Sequence, residues 1–190
     1  MSSPIIIYNI DEKTWLQYSQ VPHNHNLYGF YPSSEAIDSG VMIFGGNEKT
    51  AVIEINLEGQ DYKVHDTLLE GRTEHCSVTI NDDVYLLGGS SKINKEIFCS
   101  CNIWNKSTNK MRSMKPMNYP KCGFSSVAVK DYIYTFGGYD GNDRLDIIER
   151  YDIKNKIWEV LEYRLPYKLT NSAAEWIGDS TVLIIGGGLF

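Results

Sequence analysis

The chain has 190 residues, 42% hydrophobic and 22% charged, enough to bury a sizeable core as one soluble globular domain. Its net charge of −6 comes with scattered acidic residues, which disfavours general nucleic-acid binding. No apolar run approaches the roughly 20 residues of a membrane span, and the opening Met-Ser-Ser-Pro-Ile-Ile-Ile-Tyr lacks the basic and apolar regions of a secretory signal. A cytoplasmic, reducing location is therefore expected, in which the four cysteines need no pairing.

Taken in order, the predicted elements are all short strands. Ile5 to Tyr18 reads as strand, turn, strand. A strand-like run then ends at a glycine pair, Val-Met-Ile-Phe-Gly45-Gly46. The pattern returns as Val-Tyr-Leu-Leu-Gly88-Gly89, Ile-Tyr-Thr-Phe-Gly137-Gly138 and Val-Leu-Ile-Ile-Gly186-Gly187, with first glycines 43, 49 and 49 residues apart. A period of this size marks repeated supersecondary units. A second anchor runs in the same register, a bulky residue seven before another: Tyr8 and Trp15, Ile55 and Tyr62, Trp104 and Met111, Tyr151 and Trp158. Asn9, Asn56, Asn105 and Asp152 follow the first members and favour turns.

One unit shows the internal plan. Residues 75–80 form a first strand, Asn81-Asp82-Asp83 a turn, and 84–87 a second strand that stops at the glycines. Residues 97–104 form a third, and a turn at Asn105 to Asn109 leads to a fourth near Met111. β-Branched and aromatic residues between Gly, Asn and Asp joints suit an all-β array. A four-stranded unit at this period is the signature of a β-propeller blade. The chain opens on a third and fourth strand and closes, from Asn171 to Ile185, on a first and second. Residues 1–190 thus read as one domain, with 1–18 and 171–190 as end half-blades and three whole units between. Four blades' worth of strands could form a small ring closed by a composite blade, an open arc, a truncated copy or half of an assembly that self-associates through its end blades.

From Met114 to Val160 the sequence resembles the kelch repeat family: Met-Lys-Pro-Met117, Lys121, Ile-Tyr-Thr-Phe-Gly-Gly138, Tyr-Asp-Gly141, Leu145, Glu149-Arg-Tyr-Asp152 and Trp158. Other units are more degenerate, with Tyr62 and Met111 at the usual tryptophan and Ile55 and Trp104 at the usual tyrosine. The resemblance implies a kelch β-propeller, usually of about six blades, that binds protein or peptide on one loop face. It also implies basic contact residues where the first strand begins. Sixteen residues before the first glycines stand Gly29, Arg72, Lys121 and Thr170, so Arg72 and Lys121 match. A serine that the family often places early in the third strand is Ile147 here. Kelch modules often follow a BTB domain that recruits a ubiquitin ligase; in that pathway this chain would act as a lone substrate-binding piece, a partner of a larger protein or a competitor.

The partner-binding residues expected are Arg72, Lys121, Tyr139, Asp140, Asn142 and Arg144, with Asn47 to Lys49 and Ser90 to Lys95 adding further loops. No catalytic residue, metal or cofactor is expected. Against this stands a propeller enzyme, oxidase-like, with metal on His23 and His25; the plainer reading of that loop is a polar connector between blades. Cys99 and Cys101, two apart on one sheet face, could chelate or react, but read as small core hydrophobes; Cys76 and Cys122 read as packing residues. Trp15 and Trp158 are both expected to be mostly buried, each anchoring a fourth strand.

Overall fold

The structure is a computed structural model that describes residues 5–18, 31–46, 50–57, 61–68 and 70–188. Among these residues there is no helix. The first hairpin is β1 (Ile5–Asn9) and β2 (Thr14–Tyr18). The first whole blade is β3 (Ser33–Ile37), β4 (Gly40–Phe44), β5 (Ala51–Asn56) and β6 (Asp61–Thr67), antiparallel in that order. The second is β7 (Cys76–Ile80), β8 (Asp83–Leu87), β11 (Cys101–Asn105) and β12 (Lys110–Met114), with a two-stranded ribbon, β9 (Ser90–Ser91) and β10 (Glu96–Ile97), rising from it. The third is β13 (Ser125–Val129), β14 (Tyr132–Phe136), β15 (Ile148–Asp152) and β16 (Ile157–Val160). The chain ends on the hairpin β17 (Thr170–Gly178) and β18 (Thr181–Gly188). This is the all-β array of four-stranded antiparallel blades expected of a β-propeller.

The four anchor pairs face each other directly across the third and fourth strands: Tyr8 and Trp15, Ile55 and Tyr62, Trp104 and Met111, Tyr151 and Trp158. The turns between them close as the sequence implies. Asn105 Oδ1 accepts the Thr108 N–H at 3.0 Å, and Asp152 Oδ1 accepts the Asn155 N–H at 2.8 Å. One strand begins later than expected. Residues 98–100 lie outside the third strand because their backbone bonds elsewhere: the Phe98 N–H to Gly89 O, and Cys99 O to the Met117 N–H. Cys99 therefore shares no strand with Cys101.

Packing runs from blade to blade. Strand side chains alternate between faces, so Val84, Leu86 and Trp104 meet Met42, Phe44 and Val52 of the first blade. Tyr85 and Leu87, on the opposite face, meet Ile133, Tyr151 and Trp158 of the third. Trp158 is 8% exposed and its Nε1 donates to Lys115 O at 3.0 Å. Trp15, expected to be buried likewise, is 70% exposed, because the hairpin that carries it packs under no neighbouring blade among the described residues.

The glycine pairs tie these sheets together. The first glycine N–H closes its own blade, onto Ala51 O, Ser100 O or Ile147 O at 3.0–3.1 Å. The second reaches the next blade: Gly46 to Arg72 O, Gly89 to Lys121 O and Gly138 to Leu169 O at 2.7–2.9 Å. That double duty needs positive φ, and a Cβ on Gly89 would lie 2.8 Å from Thr73 O. The last unit is shifted by one residue, so Leu169 rather than Thr170 stands at the position of Arg72 and Lys121; β17 carries a bulge between Trp176 and Gly178.

His75 is buried beside this joint. Its Nε2 lies 2.8 Å from Ser33 Oγ of the first blade, and its Nδ1 has no partner among the described residues. Burial, then the nearby Arg72 charge, takes its pKa from 6.5 down to about 3. The unfolded chain therefore takes up the proton first. The stability is full above pH 6.5 and is lost as pH falls toward 3, at about 1.4 kcal/mol per pH unit. Between pH 7 and 5 the urea midpoint should fall by the equivalent of roughly 2 kcal/mol, and His75→Gln should remove most of that slope. Equal slopes in both proteins would refute the assignment.

Candidate functional site

Among the described residues, the loops that follow Gly89 and Gly138 meet the connections between blades on one face, where Thr73 bridges Ser90 and Cys122 bridges Tyr139. Their bases are joined by a second blade-to-blade series of backbone bonds. Glu74 N–H donates to Tyr31 O (3.2 Å), Gly123 N–H to Glu74 O (2.9 Å) and Asn171 N–H to Gly123 O (2.6 Å). All four residues are left-handed, with φ between 54° and 60°. For a tyrosine and a glutamate that conformation is uncommon, and here each strained residue is held by its bond to the next blade.

Above this rim the Tyr139 to Arg144 loop is fixed by its own bonds. Asp140 Oδ1 accepts the N–H groups of Asn142 and Asp143, both at 2.8 Å. Tyr139 Oη donates to Gly141 O at 2.6 Å, and the Tyr139 backbone exchanges bonds with Cys122. Asp143 pairs with Lys168, whose hydrogen bond holds the carboxyl below the usual range. Between this loop and its neighbours lies an open recess of about 370 Å³, walled by Glu74, Tyr139, Asn142, Asp143, Arg144 and the Thr170-Asn171 pair. Three of the expected contact residues, Tyr139, Asn142 and Arg144, thus line one cavity; Asp140 instead shapes the loop. Asp143 falls within the expected Tyr139 to Arg144 loop, whereas Glu74 and Asn171 were not anticipated. The signal for Glu74 and Asn171 was their place two residues before the first strand or one residue into it, a position set by the blade-to-blade series rather than by side-chain type.

Arg72 and Lys121 require a correction. Both are fully buried, so in this structure neither reaches a partner at the surface. Each turns down into its own blade. Arg72 Nη1 donates to Gly88 O (2.9 Å) and Ser100 O (3.1 Å); its Nη2 donates to Glu70 Oε1 (2.5 Å) and Asn102 Oδ1 (2.9 Å). Lys121 Nζ lies 2.7 Å from Glu149 Oε2 and 2.8 Å from Thr135 Oγ1. Glu149 Oε1 in turn accepts the Asn118 backbone N–H at 2.8 Å. Burial pulls the pKa of both cations down, opposed by Glu70 for Arg72 and by Glu149 for Lys121. They are the internal supports of the rim.

The other candidates divide. His23, His25 and the Asn47 to Lys49 loop lie outside the described residues. In the Ser90 to Lys95 loop, Lys92 Nζ lies 4.9 Å from the centre of the Tyr31 ring. Cys101 and Cys122 are buried thiols whose pKa values burial pushes up to about 12, the opposite of a reactive nucleophile. Among the described residues no group of three or more His, Cys, Asp or Glu could hold a metal ion.

Four-stranded blades joined around a common set of inner strands define a β-propeller, with a loop-built recess at one end. A solved structure titled "Structure of YjhT" has the same fold: TM-score 0.66 at 15% identity, covering 76% of this chain and 54% of that one. The Kelch motif model matches residues 120–162. "Kelch repeat and BTB domain-containing protein 2" of cowpox virus (strain Brighton Red) is 23% identical over 176 residues, 83% of this chain and 31% of the relative. A "RING finger domain and kelch repeat-containing protein" of Dictyostelium discoideum is 27% identical over 189 residues, 95% of this chain and 18% of the relative. Human "Kelch-like protein 6" is 28% identical over 115 residues, 60% of this chain and 17% of that protein. Residues 120–162 carry a kelch motif, and the chain is similar to these kelch-repeat proteins while spanning about a third or less of their length.

Proposed function

We propose that the chain is a non-enzymatic protein-interaction module that receives a protein or peptide segment in the recess beside the Tyr139 to Arg144 loop. The observation that carries this reading is the preformed recess itself, in which Tyr139, Asn142 and Arg144 stand on a loop already fixed by hydrogen bonds. A loop that is ordered before binding has less entropy to lose on contact. Tyrosine and arginine are also the residue types that dominate binding energy at interfaces. Relatives named for kelch repeats joined to BTB or RING finger domains support a place in ubiquitin-ligase substrate recognition, with the chain acting in the cytoplasm as the substrate-binding piece or adaptor.

The test is affinity capture from the native cell, comparing the wild-type chain with Tyr139→Ala/Arg144→Glu. Tyr139 is exposed and Arg144 half-buried at the rim, outside the blade cores, so the fold should survive. A true partner should weaken by about thirtyfold or more, the effect of losing roughly 2 kcal/mol at a binding hot spot. Equal recovery with both proteins would remove the recess from the reading. Failure to recover any partner would favour a truncated kelch chain without independent activity. Stoichiometric copper or zinc in the purified protein would favour the oxidase-like reading.

A further inference from the structure

The end of the blades opposite the recess holds a second cleft. β8 runs from Asp83 to Leu87, so the turn at its start lies a full strand away from the glycine pair at its end. At the turn end, an open cleft of about 270 Å³ lies between the first and second blades. Asp38 reaches it from the β3–β4 turn, Asp82 from the β7–β8 turn, Lys106 from the β11–β12 turn, Glu54 from β5 and Trp104 from β11. Both blades are whole, and neither end hairpin contributes a wall.

Trp104 is the unusual wall. It is fully buried, yet its Nε1 has no hydrogen-bond partner among the described residues. A buried donor left unpaired costs free energy, and folded proteins rarely keep one without a reason. The core around the ring offers no acceptor side chain. Its buried neighbours are Met42, Phe44, Val52, Val84 and Leu86, all apolar. The His65 ring stands edge-on at 5.6 Å between centroids, and its Nε2 is taken by Glu54 Oε2 at 2.5 Å. The other buried indole shows what is missing: Trp158 Nε1 donates to a backbone carbonyl, Lys115 O, at 3.0 Å. For Trp104 the cleft is the side from which such an oxygen can come.

The charge of the cleft narrows the ligand. Three carboxylates, Asp38, Glu54 and Asp82, stand against one cation, Lys106. Asp82 Oδ2 accepts Ser107 Oγ at 2.6 Å, which leaves its other oxygen available. An anion would supply the acceptor but oppose the carboxylates. A metal ion or a bare amine would suit the carboxylates but leave Nε1 unpaired. A basic residue within a peptide supplies both groups at once. Arginine fits better than lysine, because its planar fork can bridge carboxylates from two turns and it is more weakly hydrated. The volume falls just below the roughly 300–1,000 Å³ of small-molecule sites, which suits one side chain and its carbonyl.

We propose that this cleft binds an arginine in an exposed segment of a partner protein, with the guanidinium on Asp38 and Asp82 and the backbone carbonyl accepting from Trp104 Nε1. The site is separate from the recess beside Tyr139, and either can fail without the other. The probe is the blocked tripeptide acetyl-Gly-Arg-Gly-amide, titrated into the full ¹⁵N-labelled chain. The readout is the indole N–H resonance of Trp104, assigned through its core neighbours. It should shift saturably at millimolar probe while that of Trp158 stays in place. The same peptide with glutamate for arginine should leave it unmoved. Asp38→Asn/Asp82→Asn, on two exposed turn residues, should weaken the arginine peptide by about tenfold, the effect of losing two partly exposed ion pairs. An unchanged Trp158 resonance in that variant shows the fold intact. A Trp104 signal that never moves overturns the proposal. So does an equal shift with the glutamate peptide, or an affinity that the double variant leaves unchanged.

Discussion

Lys121→Met should destabilise the chain by about 3–5 kcal/mol, the usual result of removing one member of a buried ion pair. The lysine contributes little on its own, because taking an ammonium out of water is expensive. The large effect comes from what it leaves behind. Glu149 is fully buried and would lose the cation that stands 2.7 Å from it. A typical domain has only about 5–15 kcal/mol in total, so urea melts should show a large fall in midpoint. Lys121→Met/Glu149→Leu should recover most of the loss, since replacing a whole buried pair with apolar residues is often neutral or better. A single-variant loss under about 1 kcal/mol would mean that the ammonium reaches solvent, and would return Lys121 to the list of partner contacts.

This cluster also shows where sequence reasoning stopped. The repeat position of Arg72 and Lys121 was plain, but a position does not say which way a long side chain turns. A charge at the start of an inner strand can point up to the rim or down into its blade. The information that decides it lay 28 and 30 residues further on, in Glu149 and Asn102, which occupy matching places in β15 and β11. Each unit that has the cation has a polar residue there. The strand register was legible for the opposite reason. Pairs such as Tyr151 and Trp158 are neighbours across one short hairpin, so spacing alone fixes the contact. The recess drew on both kinds of evidence. Tyr139, Asn142 and Arg144 were visible as a loop after a glycine pair. Glu74 and Asn171 come from other blades and are placed by backbone bonds that no side chain announces.

Two tryptophans in the same repeat position should respond very differently to removal. Trp158→Ala should cost about 3–5 kcal/mol, the range for large aromatic truncations in a core. It would open a cavity against Tyr151 and Ile133 and leave Lys115 O without its donor. Trp15→Ala should cost under about 0.5 kcal/mol, as an exposed substitution does. Both residues face a tyrosine across a hairpin at nearly the same distance, so local pairing cannot separate them. Only the presence of a neighbouring blade can. Urea melts of both variants read this directly. A Trp15→Ala loss as large as that of Trp158→Ala would place the first hairpin against a blade of its own chain.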